Sequence, residues 1–131
     1  MKCSSPIIIF NTDLFFPSHG ENKIDLSYND GNLNVNIYYD SKESNEECTI
    51  NFLFKHTCFH RLTNFPGVSD SLINFEKYEK IDSLIEFKNS DYKLQWEKHF
   101  NNLFKFRHFR IFFINANHYL EVISADLIIK K

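Results

Sequence analysis

Glycine and proline are scarce, three of each in 131 residues. A chain turned throughout by tight two-residue hairpins draws on more of both. Longer loops carried by Asn and Asp, and at least one helix, are therefore expected. Cysteine is equally scarce. Cys3, Cys48 and Cys58 form an odd set without a C-x-x-C pair, which argues against a disulfide framework and for a reducing compartment. No apolar run approaches the roughly 20 residues of a membrane span. The N-terminal run covers only residues 7–10 before Asn11 and Asp13, too short for a secretory signal. A soluble, cytoplasmic chain without a membrane partner is expected.

Net charge is also small, −2, so neither a nucleic-acid binder nor an acidic-tail protein is expected from the balance. Its distribution is uneven. Residues 1–50 carry three Lys against eight carboxylates, a balance of −5, whereas residues 93–110 carry five cations against Glu97, a balance of +4. Such polarity bears on partners more than on fold.

Aromatic residues are plentiful, 17% of the chain with 15 Phe, and favour strands over a helical bundle. The densest stretch is C-terminal. Runs over 109–114 and 119–129 flank Asn115-Ala-Asn-His118 and read as a β-hairpin. Two strands alone bury too little, so the rest of the chain is expected to assemble on it. Residues 7–10 read as a buried first strand. Residues 23–28 and 33–39 alternate around Asp30-Gly31, a strong hairpin signal, with Ile24, Leu26, Tyr28, Leu33, Val35, Ile37 and Tyr39 facing the core. Residues 40–47 form a polar connection, and 49–54 a third long strand running on through 59–62. Residues 64–80 read as an excursion along the sheet edge, and 81–88 as a short strand. Ser90 caps a helix over about 91–103, with Asp91 and Lys98 suiting its dipole; Leu94, Phe100 and Leu103 lie near helical spacing, and Trp96 buries part of its ring. The expected fold is a single α+β domain, 1–131, predominantly β: a twisted, mostly antiparallel sheet of about six strands with one short helix.

Leu84-Ile-Glu-Phe-Lys-Asn-Ser90, Trp96 in a short helix, His108-Phe-Arg-Ile-Phe-Phe113 and Leu120-Glu-Val-Ile-Ser-Ala125 follow in order. This pattern resembles small bacterial immunity proteins of polymorphic and contact-dependent growth inhibition toxin systems. The resemblance covers about 45 residues, 84–128. It implies a binder, not an enzyme, that neutralises a cognate toxin domain by stoichiometric occlusion. It transfers no contact residues. For a basic nuclease toxin, charge complementarity selects Asp25, Asp30, Asp40, Glu43, Glu46 and Glu47, with Tyr38 as an aromatic anchor. For an acidic toxin the basic face is Lys93, Lys98, Arg107 and Arg110.

Other chemistries have weaker footing. His56, Cys58 and His60 share one face of an ideal strand, but the outer pair stands about 13 Å apart, too far for one ion. No metal or cofactor is expected. Cys58 lacks an orienting group and an oxyanion pocket for nucleophilic work. The basic aromatic segment 93–110 offers an alternative function in RNA binding or ribonucleolysis, although its Phe residues are needed for the core. Glu121 and Asp126 have no carboxylate partner legible in the sequence. A third option is a subunit that completes its sheet by homodimerisation; the sequence leaves the oligomeric state open.

Overall fold

The computed structural model describes residues 3–64 and 83–131. Beyond Asn64, the excursion expected over 64–80 lies outside the described residues, as does the start of the strand expected over 81–88. The chain forms β1 (Cys3–Phe10), a 3-10 turn (Thr12–Leu14), β2 (Lys23–Asn29), β3 (Asn32–Asp40), β4 (Glu47–Asn64), β5 (Leu84–Ser90), α1 (Asp91–His99), β6 (Arg107–Phe113) and β7 (His118–Lys130). The seven strands make one sheet in the order β1-β5-β6-β7-β4-β3-β2, antiparallel at every pairing. The fold is α+β and predominantly β. Among the described residues no helix is long and apolar enough to cross a membrane.

The C-terminal hairpin β6–β7 sits at the centre, as its aromatic and β-branched density dictates. Phe109, Ile111, Phe113, Leu120 and Val122 join Leu33, Val35, Ile37, Ile50, Phe52 and Phe54 in one buried core. Opposite Phe109 and Val122, the strands curl strongly. β1 and β4 are four strands apart, about 19 Å in a flat sheet, yet the Phe10 and Phe52 ring centroids lie 5.4 Å apart. The connection 11–22 links strands on opposite edges and crosses the curl. Phe15 stacks on Phe10 at 4.6 Å and Phe16 packs on Tyr39 at 4.8 Å, so this connection lids the core.

At β2–β3, Asp30 and Gly31 take φ of 53° and 80°, the mirror-type turn that suits strand twist. The expected core positions on β3 are buried, but on β2 Ile24 and Leu26 are half-buried and Tyr28 is 53% exposed. The cause is position, since among the described residues β2 has a neighbour on one side only. The same holds for β1: Phe10 is buried, whereas Ile7 and Ile8 are 40% and 48% exposed.

Helix α1 begins where Ser90 accepts the Lys93 amide at 3.2 Å. It stops at His99, short of the expected 103, because Asn101 and Asn102 turn left-handed at φ 55° and 59°. Short polar side chains tolerate that region. Leu94 and Leu103 do not supply the packed face, being 49% and 78% exposed. Trp96, half-buried against Phe59, and the buried Glu97, which accepts the Phe106 amide at 2.8 Å, do so instead.

Candidate functional site

Residues directly opposite in a sheet share a face. Arg110 lies opposite Glu121 on β7, and Glu121 lies opposite Arg61 on β4. A cation-anion-cation row therefore crosses three strands on the face away from the main core. Arg61 donates to Glu121 Oε1 at 2.8 Å. His108 Nε2 meets Glu121 Oε2 at 3.1 Å, and its Nδ1 meets Ser90 Oγ at 2.8 Å. Burial pushes the Glu121 carboxyl up, but the hydrogen bonds from His108 and Arg61 outweigh it and bring the group to about 2. An ionised carboxylate only accepts, so Nε2 carries a hydrogen and donates it to Glu121.

A cavity of about 140 Å³ opens beside this row, lined by Phe59, Arg61, Tyr92, Trp96, Glu121 and Ile123. The order hydroxyl, imidazole, carboxylate is that of a proton relay. However, Ser90 is 2% exposed and its oxygen already accepts a helix amide, so the row acts as a clip fastening α1 to the sheet. Spacing on the last hairpin hid it from the sequence. A hairpin closed at residues 114 and 119 sets Glu121 opposite Phe112; closure at Phe113 and His118 sets it opposite Arg110.

The basic segment is dispersed. Arg110 is buried, 2% exposed, with its guanidinium 3.9 Å from the Tyr119 ring centroid, and so cannot belong to the basic face expected of it. Arg107 grips the buried Glu86 with two hydrogen bonds of 3.0 and 2.8 Å and meets Asp126 at 3.4 Å. Burial raises the Glu86 carboxyl, but Arg107 more than offsets this and it ends below its ordinary value. Lys93 Nζ donates to the Lys88 carbonyl. Lys98 and Lys105 remain exposed.

The acidic residues are brought together more closely. Asp40 and Glu47 face each other at the base of the β3–β4 hairpin, and the Asn22 side-chain amide donates to both, at 2.8 and 3.1 Å. Glu43 and Glu46 stand at the tip, exposed. Their amides bond to Ser41 and Ser44 hydroxyls, and the Ser41 amide closes on the Glu46 carbonyl at 2.8 Å. The local cation, Lys42, donates to the Asp13 carbonyl. Four carboxylates thus project from an internally bonded turn. Tyr38, two residues from Asp40 on the same face, is half-buried with Lys23 5.7 Å from its ring; Asp25 pairs with Lys23 at 3.6 Å. Asp30 is separated from this group by the eight residue steps of β3, about 26 Å.

The His56, Cys58 and His60 side chains diverge. His56 has φ 52°, and the register slips between Thr57 and Phe59. The His56 ring goes to Phe104, the His60 ring to Tyr28, and the Cys58 thiol to the Ile123 carbonyl. Burial pushes that thiol up to about 11, away from nucleophilic reactivity.

One further carboxylate escaped sequence reading. Glu21, 2% exposed, accepts the Asn115 amide at 3.0 and 3.2 Å, tying the 11–22 connection to the β6–β7 turn. No protein-family model, curated protein or solved structure matches the chain.

Proposed function

We propose that this chain is an immunity protein: a cytoplasmic binding module that neutralises a cognate, basic toxin domain by stoichiometric occlusion. The observation that carries the reading is the acidic hairpin, where Asp40, Glu43, Glu46 and Glu47 stand on a turn fixed by hydrogen bonds within it and by the Asn22 side chain at its base. Preorganised charge costs little side-chain ordering on binding and accelerates encounter with an oppositely charged patch. Tyr38 and Asp25 extend the surface inward along the sheet, and Asp30 falls outside it. The non-catalytic reading draws support from the burial of Ser90 and the high-lying Cys58 thiol. RNA binding has less support, because two of the cations it needs are engaged with Glu86 or buried under the sheet face.

Capture of the tagged chain's partner from its native cell extract, with and without nuclease, tests the reading. The expected result is one nuclease-resistant basic protein at one copy per chain, toxic when expressed alone. Reversing Asp40, Glu43, Glu46 and Glu47 together to Lys should slow its association by about 10–100-fold at low salt. Recovery of RNA, lost on nuclease treatment, would overturn the proposal.

A further inference from the structure

We infer that the outer edge of β2 is a self-association surface, on which β2 of a second copy pairs antiparallel about a two-fold axis at Leu26. Among the described residues β2 is bonded to β3 alone. The two-residue turn Asp30-Gly31 closes on the pair Asn29 and Asn32, and in such a hairpin the flanking pair exchanges both of its backbone bonds. Alternation then directs the backbone groups of Asn29, Ser27 and Asp25 toward β3. Those of Tyr28, Leu26 and Ile24 point outward.

The two ends of the sheet differ in how they are finished. β1 carries Pro6, which has no amide to offer, beside Ser5 at φ 54°; both features discourage strand addition. β2 has neither proline nor positive φ in its seven residues. Its core-side groups are also unfinished: their partners Leu33, Val35 and Ile37 are 1%, 0% and 0% exposed, while Tyr28 is 53% exposed and Ile24 and Leu26 stay half-buried. The Tyr28 ring is held in place by its hydroxyl bond to the Thr57 carbonyl, 3.2 Å.

The sequence of β2 is complementary to itself in one register. Centred on Leu26, Ile24 faces Tyr28 of the second copy and Leu26 faces its counterpart, continuing the apolar stripe. On the other face Asp25 meets Ser27 and Lys23 meets Asn29, so no like charges oppose, and all three outward amides find carbonyls. Centring on Asp25 would set that carboxylate against its own copy, an unfavourable pair. The two acidic hairpins lie toward opposite ends of this joint, leaving each free. The inference does not depend on the immunity reading.

Light scattering on the purified full chain tests it. The expected mass is twice 15.7 kDa, and a monomer at about 100 μM, where even a micromolar contact is populated, would overturn it. Ser27 is exposed, so its variants spare the fold. S27E sets a carboxylate against Asp25 twice by symmetry and should raise the dimer Kd about tenfold, while S27K should lower it by a similar factor. Leu26→Pro removes an outward amide and should give monomer, with circular dichroism checking the fold. A dimer indifferent to both charge variants would place the contact elsewhere and overturn the assignment.

Discussion

At the scale of single residues, Glu121 is the group on which acid stability turns. Its carboxyl sits at about 2 in the fold against an ordinary 4.5. A depressed carboxyl contributes stability that is complete above its unfolded value and is lost as pH falls through the folded one. The loss therefore runs from about pH 4.5 down to about 2, and its size is on the order of 2–3 kcal/mol. Glu121→Gln should flatten this limb in urea melts taken between pH 6 and 2.5, giving nearly pH-independent stability where the parent weakens, apart from the smaller contribution of Glu86. A limb as steep as the parent's would show that the Arg61 and His108 contacts do not hold the charge. The Glu21 carboxyl runs the other way. Burial raises it, against the hydrogen bond from the Asn115 amide, so its contribution declines as pH rises through the carboxylate range.

At the scale of elements, α1 hangs from Ser90. That hydroxyl caps the helix and hydrogen-bonds to His108 within 3.2 Å, so Ser90→Ala should cost about 1–2 kcal/mol. Hydrogen exchange should quicken across residues 91–99 while β6 and β7 stay protected; uniform quickening would contradict a local fastening. The helix start was readable in the sequence because a cap acts on its immediate neighbours. Its end was not, since Asn101 and Asn102 signal a stop only through the backbone they adopt. Alternation likewise revealed β2 and β3 but not which was the edge, because Ile24 and Leu26 read like Val35 and Ile37 until the strand order is known. Acidic residues 40–47 were legible as a candidate surface from composition alone. The burial of Arg110 was not, as it follows from the interior place of β6 in the strand order and from the Tyr119 ring that covers its guanidinium.

Across the whole molecule, the 11–22 connection joins the two edges of the sheet. It turns at Gly20, with φ 87°, where an added Cβ would lie 2.9 Å from Cβ of Ile114. Gly20→Ala should destabilise the fold by about 1–3 kcal/mol, combining a left-handed backbone with a backbone-proximal clash. Thermal melts followed by Phe and Tyr near-ultraviolet dichroism measure it, and an unchanged midpoint would mean the connection does not brace the curl. The same connection sets an order of manufacture. β1 leaves the ribosome well before β5, its described neighbour, with Cys3 facing Ser90 and Phe10 facing Leu84. At roughly 5–20 residues per second, the 80 or so residues between them take about 4–16 seconds to make. The β2, β3 and β4 meander closes early from local turns, while Ile7-Ile8-Ile9-Phe10 waits uncovered. For that interval the apolar run from Ile7 to Phe10 is without the strand it pairs with in the finished sheet.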